Sequence, residues 1–240
     1  MSIINIGGNY MKLKPLAALA LAALAVAPGV LSAADNNDAP KRLEASAEAF
    51  KEVMGTPDKS IPQDLLAKAQ CFVIVPDLKK GAFVFGAKYG KGFVSCRKKD
   101  GVGWSAPGSI RVEGGSFGLQ IGGAEMDVFM LIMNAKGMDR LLSTKFTLGG
   151  EASAAAGPVG RSTQAETDAA MTAEILTWSR SRGLFGGISL NGATLREDED
   201  WNKELYGKPL KNREIILGTT PAPASFGPLM GELNKYSSRK

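Results

Sequence analysis

Gly114-Gly115-Ser116-Phe117-Gly118 has the G-x-S-x-G spacing of a nucleophile elbow, in which a serine attacks a carbonyl while a nearby base takes its proton. The usual base is histidine, and the 240 residues contain none. The same zero removes Cys-His nucleophiles, His-ligated metals and histidine pH switches. An elbow also lies between a strand and a helix, whereas this copy leads into a strand-like run, so it reads as a glycine-rich β turn. Asp198-Glu199-Asp200-Trp201-Asn202 has the acid spacing of a Ca²⁺ loop, but its sixth position, where the loop needs glycine, is Lys203. Those acids read instead as a helix start, favourably placed on the positive end of the dipole. Two cysteines without histidine are too few for structural zinc. No P-loop is present, and no dinucleotide fingerprint sits between a strand and a helix. The expectation is no metal, no cofactor and no enzyme. A carboxylate enzyme would use Glu125 and Asp127, which beside a strand read as ordinary hydrogen-bonded acids.

Charge placement is the stronger signal. Lys79, Lys80, Lys88, Lys91, Arg97, Lys98, Lys99 and Arg111 face only Asp77 and Asp100 between positions 76 and 112, eight cations against two acids for a net +6. The whole chain carries +5. On adjacent turns of one sheet these cations would form a patch for phosphate-rich surfaces. The same row also fits solvated lysines protecting a sheet edge, and residue types alone leave both readings open. Arg161, Arg180 and Arg182, each beside Gly or Ser, are weaker anion candidates. The strands lack a row of stacking aromatics, so nucleic acid is not an expected partner.

The elements that must position these residues follow from periodicity. Lys12 and Lys14, an apolar run over 15–26 and Ser32-Ala33-Ala34 have the layout of a secretory signal peptide over 1–34, with Met1–Tyr10 resembling an upstream start-site artefact. Its removal would lower the charge to +3 by deleting Lys12 and Lys14, and the protein is expected in the periplasm or outside the cell. In that oxidising compartment Cys71 and Cys96 are read either as a disulfide or as two buried thiols. From 41 to 54, Leu43, Ala47, Phe50 and Val53 form one stripe of an amphipathic helix, and a short helix over 63–69 follows Pro62. Strand-like runs come next at 71–75, 82–88, 93–98, 116–121 and 126–133, then at 145–148, 175–179 and 184–190. A helical turn over 138–143 and helices over 164–174 and 197–206 complete the elements, and the proline-bearing stretch 219–240 reads as a flexible tail. Twelve of the 29 glycines lie between Gly81 and Gly123, among β-branched and aromatic residues, which means tight turns and bulges. Without long helices between the strands the sheet cannot be parallel. The expected fold is α+β, a mostly antiparallel curved sheet or barrel flanked by N- and C-terminal helices, in a single domain over 35–218.

Several separated motifs then occur in order: Lys80-Gly81-Ala82-Phe83, Gly103-Trp104-Ser105-Ala106-Pro107, Gly118-Leu119-Gln120-Ile121-Gly122-Gly123, Ala156-Gly157-Pro158-Val159-Gly160-Arg161 and Ser179-Arg180-Ser181-Arg182-Gly183-Leu184-Phe185. With Asn191-Gly192-Ala193 and Leu205-Tyr206-Gly207, the chain resembles the SYLF-domain family, also known as the Ysc84-type actin-binding domain family. The resemblance implies lipid binding rather than catalysis. Eukaryotic members bind phosphatidylinositol-containing membranes, partly through an N-terminal amphipathic helix, and some bind actin. Here that helix corresponds to 41–54, with Leu43, Phe50 and Val53 as its membrane-facing candidates. Its Lys41, Arg42 and Lys51 are balanced by Glu44, Glu48 and Glu52. An exported protein does not meet actin, so the expected partner is an anionic phospholipid of the cell envelope. The alternative is an envelope structural or protein-interaction module.

Overall fold

Cys71 to Val75 is apolar at every position because it lies at the centre of a sheet covered on both faces. A computed structural model describes residues 39–82, 85–117, 122–160 and 172–237. The signal peptide expected over 1–34, Arg161, most of the helix expected over 164–174 and the motif residues Phe83 and Gly118–Ile121 lie outside them. The elements run α1 (Ala39–Met54), α2 (Gln63–Lys68), β1 (Cys71–Ala82), β2 (Phe85–Cys96), β3 (Gly108–Phe117), β4 (Gly122–Ile132), α3 (Ala135–Leu141), β5 (Lys145–Thr147), β6 (Ala154–Ala156), β7 (Ile175–Ser181), β8 (Leu184–Gly187), β9 (Thr194–Glu197), α4 (Glu199–Tyr206), α5 (Asn212–Leu217) and α6 (Gly227–Tyr236). The strands form one curled sheet in the order β5-β9-β3-β2-β1-β4-β7-β6, with β8 paired to β7. The pairs are antiparallel except β6 with β7. This is the expected α+β architecture.

Strand alternation sends Phe72, Ile74, Phe93, Phe129, Leu131 and Trp178 to the outer face, where α1, α2 and α6 cover them. Cys71, Val73, Val75, Val94, Ile110, Val128 and Met130 point to the inner face, closed by Leu141, Phe146 and Leu195. Two filled faces explain the unbroken apolar run.

Pro76 does not end the first strand. A register shift between Val75 and Leu78 takes Pro76 and Asp77 out of the ladder, and β1 then resumes to Ala82. A bulge is where a strand tolerates proline, and Asp77 adopts φ 49°, a left-handed conformation that aspartate accepts more readily than most residues. The partner strand accommodates the bulge with Gly92, where a Cβ would stand 2.0 Å from the Ile74 carbonyl oxygen. The runs expected at 82–88 and 93–98 are therefore one long strand, β2.

The stretch from 219 to 237 is not a tail. Phe226, Leu229 and Leu233 are buried in the outer core, and α6 packs beside α1. Pro228 sits in the first turn of α6, where an absent N–H breaks no helical bond. In the opposite register position from Cys71 lies Cys96, and the two sulfurs are bonded at 2.04 Å.

Candidate functional site

The eight cations of 76–112 do not form one patch. Two are drawn into the fold, and Arg111 is paired at its surface. Arg97 is buried, its guanidinium 4.0 Å from the centre of the Trp104 ring, and its Nη2 donates to the carbonyls of Leu66 (3.2 Å) and Ser237 (2.6 Å). Lys91 lies 3.4 Å from the buried Asp198 carboxylate and over the Trp201 ring. Asp198 in turn caps α4 by accepting the Trp201 N–H, which is the helix-start role expected of that acidic run. Arg111 pairs with Glu113 at 3.0 Å.

Five lysines remain toward solvent, divided between the two ends of the sheet. Lys98 and Lys99 are exposed beyond the last residue of β2, beside Asp100. Lys79, Lys80 and Lys88 lie at the other end, Lys79 exposed and the other two half-buried. Ten residues of strand separate Lys88 from Lys98, roughly 33 Å at 3.3 Å per residue. Lys80 and Lys88 are direct register partners, so two ammonium groups project from the same face. Burial, and then the charge of Lys80, lowers the pKa of Lys88 from its ordinary value.

The arginines of 180–182 divide as well. Arg180 is held by Asp127, with Nη2 and Nε at 2.7 and 2.8 Å from Oδ2, and by Glu52 of α1. Asp127 also accepts the Asp77 N–H at 3.1 Å, which the bulge has freed from the ladder. Arg42 of α1 completes this set by donating to Asp77 at 2.8 Å. Burial raises the Asp127 carboxyl above the usual range, with the Asp77 N–H pulling the other way. The two carboxylates suspected from sequence thus have unlike settings: Asp127 is engaged in an ion pair, and Glu125 is exposed on the strand end opposite Lys79. Arg182 is exposed in the turn between β7 and β8, where it and Gly183 both have positive φ (49° and 77°), as a two-residue hairpin turn of this hand requires.

The α1 stripe is a correction. Leu43, Phe50 and Val53 are 0%, 0% and 3% exposed, and Phe50 meets Phe72 edge-on at 4.9 Å. They face the protein's own sheet, not a membrane. Each fully buried side chain of this size is worth about 2–3 kcal/mol, and the Arg42–Asp77 and Glu52–Arg180 pairs fix the helix at two points.

Three exposed apolar side chains escaped the sequence reading, Tyr89, Val102 and, most exposed of them, Leu184. Leu184 is 79% exposed beside Arg182 and Gly183. The signal was there, since an aliphatic residue directly after an Arg-Gly turn has little to pack against. The glycine and tryptophan motifs serve packing instead. Trp104 donates to Ser237 Oγ at 3.1 Å beneath Arg97, and a Cβ on Gly157 would stand 2.0 Å from the Trp178 ring. Tyr206 donates to the Pro107 carbonyl at 2.6 Å, and Gly207 ends α4 in the left-handed conformation.

Fold and site define an α+β domain with a doubly covered antiparallel sheet that presents its cations on strand ends and connecting turns. The sequence profile described as "Ysc84: Las17-binding protein actin regulator" matches residues 113–236. The chain is 32% identical over 218 residues to SH3 domain-containing YSC84-like protein 1 of Homo sapiens, covering 85% of this chain and 62% of that protein. It is also 32% identical over 207 residues to LAS seventeen-binding protein 3 of Saccharomyces cerevisiae, covering 81% of this chain and 44% of the relative. Protein YSC84 of the same yeast is 32% identical over 208 residues, with the same coverage of 81% and 44%. This chain belongs to the Ysc84, or SYLF-domain, family. It spans under two thirds of the length of these relatives.

Proposed function

We propose that this chain is an exported, non-enzymatic domain that binds anionic phospholipid surfaces. The observation that carries the reading is the fate of the cations. Lys91 and Arg97 are taken up by partners inside the fold, while Lys79, Lys98 and Lys99 are exposed. Each lysine near an anionic membrane contributes about 1 kcal/mol, so a few suffice for measurable attachment. The leader-like run over 1–34 supports an envelope location, periplasmic or extracellular.

Co-sedimentation of the protein with vesicles tests this. Binding to phosphatidylglycerol-containing vesicles, weakened by salt and absent from pure phosphatidylcholine, is expected. Equal, negligible binding to both refutes it. That outcome would favour the second reading, a protein-interaction module of the envelope, which draws support from the Las17-binding description of the family and the name of the yeast relative.

A further inference from the structure

The connection between β2 and β3 holds two lysines in the open on a pinned turn. Cys96, bonded to Cys71, fixes the end of β2, and Arg97 bridges to Trp104 across the loop. Gly101 and Gly103 take positive φ (77° and 71°), and the Gly101 N–H donates to the Lys98 carbonyl at 2.8 Å. Lys98 and Lys99 are exposed, and among the described residues neither enters an ion pair. The neighbouring Asp100 accepts the Val102 N–H at 2.9 Å, so its carboxylate closes the turn.

A groove of about 490 Å³ lies between this turn and the residues that end α5, within the size range of small-molecule sites. Lys98 and Lys99 line it from the turn, Leu217 and Thr219 from the α5 side, and the buried Ala106 and Ile216 also line it. The α5 side is held by Asn212, whose side chain donates to the Ser109 carbonyl at 2.9 Å. Both sides are therefore anchored in the fold before anything binds.

Two ammonium groups beside an aliphatic lining suit a phosphate ester that carries hydrocarbon. The C-terminal end of α5 bears partial negative charge, which disfavours an anion on that side. The phosphate therefore belongs with the lysines, and the lipid's glycerol and first methylenes belong against Leu217 and Ile216. Val102, 58% exposed in the same turn, adds an aliphatic group for the interfacial layer. The groove at the β7–β8 turn differs in sign. Asp77, Glu125 and Asp127 line it with Arg180 and Arg182, so acids outnumber cations there.

We infer that the groove between the β2–β3 turn and the end of α5 is the phospholipid headgroup site, with Lys98 and Lys99 on the phosphate and the aliphatic lining on the first methylenes. The inference rests on the proposed lipid binding and adds the place and orientation of the ligand.

Two measurements on the full chain test it: co-sedimentation with phosphatidylglycerol–phosphatidylcholine vesicles, and calorimetric titration with soluble dihexanoylphosphatidylglycerol. Lys98→Gln/Lys99→Gln lowers vesicle partitioning roughly 30-fold. Lys79→Gln, at the far end of the sheet about 30 Å away, lowers it less than about twofold. The short-chain lipid binds wild type at a single site, and glycerol 3-phosphate, which lacks the chains, binds at least about tenfold more weakly. Thr219→Phe, at an exposed position, fills the groove without changing charge and lowers short-chain lipid affinity about tenfold. Thermal melting checks each fold, and if Lys98→Gln/Lys99→Gln melts below wild type, Thr219→Phe decides. Equal losses for the Lys79 and Lys98/Lys99 variants, or unchanged short-chain affinity in Thr219→Phe, overturn the inference while lipid binding stands. So does glycerol 3-phosphate binding as tightly as the lipid, or a wild type that binds vesicles but not the short-chain lipid. A wild type that binds neither vesicles nor short-chain lipid refutes the lipid reading and the inference together.

Discussion

Replacing Arg97 with Met separates structural cations from those left for a partner. Arg97 follows β2 and ties together two distant parts of the chain, donating to the Leu66 carbonyl of α2 and to the Ser237 carbonyl after α6. Its guanidinium also stacks on Trp104, which is itself tied to Ser237. Methionine keeps the aliphatic stem and removes the donors. Two carbonyls then lose a charged donor, each worth about 1–3 kcal/mol, and the cation–π contact adds about 1–2 kcal/mol. Releasing a buried charge from its desolvation offsets part of this, leaving a net loss of about 3 kcal/mol. For a domain of this size that lowers Tm by about 6–12 °C. Urea denaturation and thermal melting read the loss, and vesicle binding of the folded variant should match wild type. A stability change below about 1 kcal/mol, or selective loss of vesicle binding at unchanged stability, would refute the reasoning.

Three further outcomes follow from the packing and charge. Gly157→Ala should destabilise the protein by about 2–3 kcal/mol in urea, because the new methyl meets the Trp178 ring, which is anchored by its N–H to the Pro158 carbonyl at 2.8 Å. A neutral result would contradict that close approach. Cys71→Ala/Cys96→Ala should lower stability by about 3–4 kcal/mol, the loop-closure value for a sequence separation of 25, and an unchanged urea midpoint would count against the bond. Lys88 has a folded pKa below its free value of 10.5, so the folded state holds that proton less tightly than the unfolded chain. Wild type should therefore gain stability relative to Lys88→Gln as pH rises through the folded value toward 10.5, and a flat difference in Tm would contradict the assignment.

The antiparallel sheet and the α1 stripe were legible because burial imposes a period on the residues that achieve it. What periodicity could not show is which partner a face meets. The same Leu43/Phe50/Val53 stripe fits a membrane or a sheet, and only the tertiary fold, with Phe72 and Phe129 waiting opposite, decides it. The first strand-like run was read only to 75 because the proline that follows locally disfavours a strand, whereas the bulge and Gly92 let the strand continue. Prolines likewise disguised α6, whose burial depends on α1 far away in sequence. For the site, the cation count was sound but its proximity along the chain misled. A long strand carries Lys88 and Lys98 to opposite ends, and register brings Lys80 and Lys88 together.

Hydrogen–deuterium exchange of the full chain on phosphatidylglycerol-containing vesicles tests the proposed lipid binding most directly. The account predicts slowed exchange at a lysine-bearing strand end, around Lys79 or around Lys98 and Lys99, with α1 unchanged from its rate in free solution. Faster exchange throughout α1, or no slowing at either strand end, would contradict it.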